Sequence, residues 1–139
     1  MTLPAPETVY LNLSCRLTEV PLARHHTRDT LAGWGLGEDA TDRLELLVSE
    51  LASNAIKFAD CDQGLAHRQC PILGLHLHAD HVQITVWDRL TTVPPRRQPQ
   101  DDTAEGGRGL LLVELLSDAW GHCSVPTGGK IIWCEVARA

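Results

Sequence analysis

The chain has 139 residues, 43% of them hydrophobic and 22% charged, with a formal net charge of -6. This composition fits one compact domain over 1–139 and excludes disordered and fibrous classes. The acidic balance argues against a direct nucleic-acid binder, whose affinity would rest on Lys and Arg neutralising phosphates.

No apolar run approaches the roughly 20 residues that cross a bilayer, and the N-terminus lacks the basic and apolar regions of a signal peptide. No membrane contact and a cytoplasmic location are therefore expected. The five cysteines, Cys15, Cys61, Cys70, Cys123 and Cys134, are odd in number and contain no C-x-x-C pair. Reduced structural thiols are the expected reading.

In chain order, Thr8 to Leu13 alternates and is rich in β-formers, which predicts a strand. From Thr18 or Glu19 to about Trp34 the spacing of Leu22, His26, Thr30 and Leu31 predicts a helix, with Pro21 in its first turn and a glycine-rich end at Gly33, Gly35 and Gly37. A second helix is expected from Glu38 or Asp39 to about Ala59, where Leu47, Leu51, Ala55 and Phe58 recur at three- and four-residue steps.

After a polar connection over 60–71, Ile72 to His78 and Val82 to Asp88 read as two alternating strands joined by a hairpin at Ala79-Asp80-His81. Residues 89–105 carry Pro94, Pro95 and Pro99 and almost no apolar residue, which predicts a mobile loop. Gly106-Gly107-Arg108-Gly109 then leads into a third helix, Leu110 to Leu116. Two last strands, Ala119 to Val125 and Lys130 to Val136, flank the turn Pro126-Thr127-Gly128-Gly129.

Three features point to chemistry. Glu50 and Asn54 stand four residues apart on a strongly apolar helix, so a carboxylate and an amide share one face. Asn offers a neutral oxygen to a hard cation such as Mg²⁺, and Glu one turn away can act as a general base beside it. The alternative is that both lie on the wet edge of the helix. The glycines before the third helix let backbone amides approach phosphate, although a flexible joint has the same composition. Asp88 closes an apolar strand, where a carboxylate can accept a hydrogen bond from an exocyclic amine or simply begin a loop.

Taken together, Glu50-x-x-x-Asn54 on a helix, Asp88 closing a strand, a loop, and Gly107-x-Gly109 at a helix start resemble the N, G1 and G2 boxes of the GHKL ATPases. Within that superfamily the chain length, Pro21-Leu22-Ala23-Arg24 and Val48-Ser49-Glu50-Leu51-Ala52-Ser53-Asn54-Ala55 are similar to the bacterial anti-sigma factor serine kinases. The resemblance spans about Val9 to Val136.

It implies an α/β Bergerat fold: a two-layer sandwich with three helices on one face of a mixed, mostly antiparallel sheet. It implies Mg²⁺ and ATP as cofactors. Asn54 would hold the metal, Glu50 would be the catalytic base and Asp88 would take the adenine amine. Gly107, Arg108, Gly109 and Leu110 would meet the phosphates. The implied partners are an anti-anti-sigma protein of the STAS fold, whose serine would be phosphorylated, and a sigma factor; a homodimer is also compatible, and Arg24 matches a partner-contacting arginine.

The G1 box departs from the family pattern, because Arg89-Leu90-Thr91-Thr92 stands where two glycines are usual. The alternative function is therefore a weakly active or inactive protein-binding module on the same fold. Two other groups could hold a metal: His76, His78 and His81 at the hairpin, and Cys61, His67 and Cys70 in one loop. Solvated histidines and a spacing unlike any usual zinc pattern disfavour both.

Overall fold

The computed structural model describes residues 7–14, 16–58, 70–89 and 105–138. Its elements run β1 (Thr8–Asn12), a single 3-10 turn (Leu17–Glu19), α1 (Val20–Gly33), α2 (Glu38–Phe58), β2 (Ile72–Leu77), β3 (His81–Asp88), α3 (Glu105–Leu116), β4 (Ala119–Ser124) and β5 (Lys130–Ala137). The five strands form one sheet in the order β1-β2-β3-β5-β4. Every pairing in it is antiparallel, so the expected mixed sheet contains no parallel ladder among the described residues. The expected α/β two-layer architecture is present.

Period-2 alternation decides which side of the sheet is covered. On β3, Val82, Ile84, Val86 and Asp88 are buried and their neighbours half-exposed. On β5 the buried set is Lys130, Ile132, Cys134 and Val136. These faces meet α2, which packs on β3 and β5 and is flanked by α1 and α3. Leu44, Leu47, Val48, Leu51, Ala52, Ala55 and Ile56 of α2 are all buried, more than the single stripe of a surface helix. The helix is therefore central to the core, and it carries Glu50 and Asn54.

Two arginines fix its position. Arg28 of α1 donates through Nε to Glu45 at 2.6 Å and through Nη2 to Asp42 at 2.7 Å, both on α2. Arg43 of α2 donates through Nε and Nη2 to the Leu116 carbonyl, satisfying an orphan acceptor at the C-terminus of α3. The ion pairs are partly exposed and contribute little individually, but they set the mutual register of the three helices.

The inner face of α1 differs from the expected one. Val20, Ala23, Thr27 and Leu31 are buried, whereas Leu22 is 62% exposed. Small side chains let α1 approach closely, and Thr27 removes its own polar penalty by donating to the Ala23 carbonyl at 2.8 Å. α3 also begins five residues before the expected start, so the glycine run lies in its first turns. Glycine costs about 1 kcal/mol per helical position relative to alanine, a weak preference that packing of the later turns around buried Val113 overrides.

The opposite sheet face is half-open and mixed, with Tyr10, Ile72, Trp87, Ile131 and Trp133 beside His76, Gln83, Thr85 and Glu135. His76 meets Thr85 Oγ1 at 2.9 Å and packs edge-on against Tyr10, with ring centroids 5.6 Å apart. Gly74 makes that contact possible, because a Cβ there would lie 2.5 Å from Thr85 Oγ1 and 2.7 Å from His76 Nε2.

Candidate functional site

The site is built on the last turns of α2 and on the facing ends of β3 and β5. Asn54 is buried, and its Nδ2 atom has no hydrogen-bond partner among the described residues. A buried amide is ordinarily satisfied, and leaving it unpaired costs about 1–3 kcal/mol. Glu50, one turn earlier, is half-buried. The helix thus presents a solvent-reachable carboxylate beside a polar group that awaits a partner. The open Nδ2 donor fits an anionic acceptor such as a phosphate oxygen, and a hard cation would take the Oδ1 atom of the same amide.

The α3 helix packs against α2 and begins at Glu105. Gly107, Arg108, Gly109 and Leu110 lie inside the helix rather than before it, which corrects the expected loop. The free amides of a helix starting at Glu105 are those of its first turn, up to about Gly107 and Arg108, while Gly109 and Leu110 have intrahelical acceptors at Glu105 and Gly106.

The other end is occupied by the chain itself. Asp88 and Lys130 are directly opposite in the β3–β5 ladder and both point into the helix layer. Lys130 Nζ donates to Oδ1 at 2.8 Å and to Oδ2 at 3.0 Å. The two side chains are only 2% and 3% exposed. Asp88 was expected to receive an adenine amine. Both of its oxygens instead accept from an ammonium, so an adenine amine would have to compete with Lys130 for them.

Lys130 was not anticipated as a site residue. The signal was available: it is in phase with Ile132, Cys134 and Val136, and a lysine on the core-facing parity of a strand requires a counter-charge. The turn before it is specialised. Gly128 and Gly129 adopt φ of 121° and 82°. A Cβ at Gly129 would collide with the Asp88 carbonyl oxygen and approach Trp87 Nε1 to 2.8 Å. Trp87 Nε1 donates to the Gly128 carbonyl at 3.0 Å.

The remaining expectations divide. Arg24 is half-buried on α1 and has no hydrogen-bond or ion-pair partner among the described residues. His78 and His81 stack at 4.4 Å while His76 bonds to Thr85, and no group of metal-ligating residues exists among the described residues. Cys61, His67 and the expected mobile loop lie outside the described residues. Cys70 corrects the expectation of reduced thiols, because it is disulfide-bonded to a partner outside the described residues. Cys134 is free, and burial pushes its thiol up to about 12, so it is chemically inert.

Residues 13–134 match the family described as the histidine kinase-like ATPase domain, and the chain belongs to that family. No curated protein sequence matches the chain.

Two solved structures share the fold. One comprises the RsbU and RsbW domains of Rv1364c from Mycobacterium tuberculosis, with a TM-score of 0.71 and 17% identity over 98% of this chain and 34% of that one. The chain thus spans about a third of that protein's length. The other is the SiaB-SiaC complex from Pseudomonas aeruginosa, with a TM-score of 0.69 and 11% identity over 92% of this chain and 88% of that one. No helix among the described residues is long and apolar enough to cross a membrane.

Proposed function

We propose that this chain, as a single domain, is an anti-sigma factor of the serine-kinase type, which phosphorylates a STAS-fold antagonist with Mg·ATP and sequesters a sigma factor. The observation that carries the reading is the buried Asn54 amide, whose Nδ2 atom has no hydrogen-bond partner among the described residues, one turn from Glu50. Family membership and the likeness to the RsbW-containing structure support it. The SiaB-SiaC likeness supports a protein partner.

In this reading the Asn54 Oδ1 atom would hold the metal, its Nδ2 and the first-turn amides of α3 at Gly107 and Arg108 would meet phosphate, and Gly109 and Leu110 would shape the helix start around it. When bound, Mg·ATP supplies the phosphoryl group. Glu50 takes the proton from the attacking serine hydroxyl. Arg24, half-buried on α1, would contact the protein partner. Phosphorylation adds about two negative charges at neutral pH, enough to break an interface by repulsion and desolvation.

The test is phosphate transfer from labelled Mg·ATP to a purified STAS-domain partner. Removing a general base typically lowers such a rate by about 10²–10⁴. Glu50→Ala is expected to show that loss with nucleotide affinity retained. Transfer at the wild-type rate would refute the assignment.

A second reading is supported by the Asp88–Lys130 pair: a partner-binding module with little nucleotide turnover. Calorimetric titration with Mg·ATP separates the two, because the kinase must bind it and the module need not.

A further inference from the structure

The nucleotide end and the base end of the site differ in one physical respect. At Asn54 the protein leaves a buried polar atom open. At Asp88 it supplies both acceptor oxygens with a donor of its own. A carboxylate selects a base by accepting its neutral exocyclic amine. Here the competing donor is an ammonium, and a charge-assisted hydrogen bond is roughly twice as strong as one to a neutral amine.

Displacing Lys130 also leaves an ammonium without a partner in a place where the pair is at most 3% exposed. The pair cannot swing apart freely. Lys130 begins β5 directly after Gly129, whose approach to the Asp88 carbonyl admits no side chain, and the Trp87 bond to Gly128 holds the turn against the end of β3. The ion pair is thus built into the ladder rather than formed by two loose side chains.

We infer that Lys130 is a specificity-determining residue that fills the donor position an adenine amine would take. The chain accordingly binds Mg²⁺-nucleoside triphosphates through their phosphates with little choice of base. This rests on the nucleotide-binding reading above and adds to it the ligand class: a triphosphate, with the purine as a passenger.

The experiment is isothermal calorimetry on the full chain with Mg·ATP, Mg·GTP and Mg·tripolyphosphate, followed by Mg·ATP and Mg·GTP on Lys130→Thr. For the wild type, ATP and GTP affinities are expected within about threefold of each other, a difference well below the 1.4 kcal/mol that corresponds to tenfold. In Lys130→Thr a freed carboxylate should shift the ATP:GTP affinity ratio toward ATP by about tenfold, the size of one recovered charge-assisted hydrogen bond.

A wild-type preference for ATP of about tenfold or more overturns the inference, and so does a folded Lys130→Thr with an unchanged ratio. If the variant does not fold, the wild-type ratio decides alone. Binding of tripolyphosphate together with strong ATP preference overturns this inference and leaves the nucleotide-binding reading standing. Failure of all three ligands to bind overturns both.

Discussion

The Asp88–Lys130 pair also makes a stability prediction that needs no ligand. Lys130→Met keeps the aliphatic length of the side chain but leaves a carboxylate buried without its ammonium. Asp88→Asn leaves the ammonium without its carboxylate. With both groups at 2–3% exposure, solvent screening is slight, and breaking such a pair from one side costs about 3–5 kcal/mol.

The double variant removes both charges and should cost about 1–3 kcal/mol, mostly from the residual buried amide. The two singles are therefore strongly non-additive. Urea unfolding followed by circular dichroism at pH 7 measures this directly. With a slope of about 2 kcal/mol per molar, each single should lower the midpoint by about 2 M. Natural domains have about 5–15 kcal/mol in total, so both singles sit near the edge of folding. Singles costing under about 1 kcal/mol, or summing to the double, would refute a buried, coupled pair.

Asn54→Leu should divide stability from function: removing the unpaired amide stabilises the fold by about 1 kcal/mol in urea titrations, while Mg·ATP binding by calorimetry is lost. Gly74→Ala forces a methyl group into Thr85 and His76 on the open sheet face, and a cost of about 1–3 kcal/mol by the same unfolding assay is expected. Burial, helped by neighbouring His78, lowers the pKa of His76 below its ordinary 6.5. The unfolded chain then binds the proton more readily than the folded one, so this contribution is full above pH 6.5 and is lost as pH falls from there through the lowered folded-state value. Melting temperature should therefore drop more between pH 7.5 and 5.5 in the wild type than in His76→Gln, and equal drops would contradict it.

How far the sequence discloses this molecule depends on how much of each decision is local. The α2 helix is legible because Leu47, Leu51 and Ala55 repeat at its own period, and they are buried as that period requires. The hairpin of β2 and β3 is legible for the same reason, and His78 N donates to the His81 carbonyl at 2.9 Å across the expected turn. The face of α1 is not, because Ala23 and Thr27 carry little hydrophobic signal while exposed Leu22 carries much. Hydrophobicity ranks side chains by size, whereas a close helix contact selects small ones. The start of α3 is misread because glycine's helix propensity is a weak local preference that packing overrides.

Within the site, Glu50 and Asn54 could be found by spacing, since both are on one helix. Asp88 could be found as a strand end, but its partner is 42 residues away on β5. Pairing across strands is a tertiary fact, and so is the disulfide at Cys70. In the sequence Lys130 has only its parity with Ile132, Cys134 and Val136 to show that it points inward.

The two ends of the site therefore carry opposite thermodynamic signatures. A buried Asn54 amide without a partner is a standing cost to the fold that a ligand relieves, so binding there and folding stability are coupled favourably. The Asp88–Lys130 pair is already formed, and a ligand that engages Asp88 competes with a charge-assisted contact the fold relies on. Binding energy is then available at the α2 end and is consumed at the β3–β5 end. A ligand that touches only the first end, with its phosphates and metal, should raise the melting temperature as much as one that also carries a base.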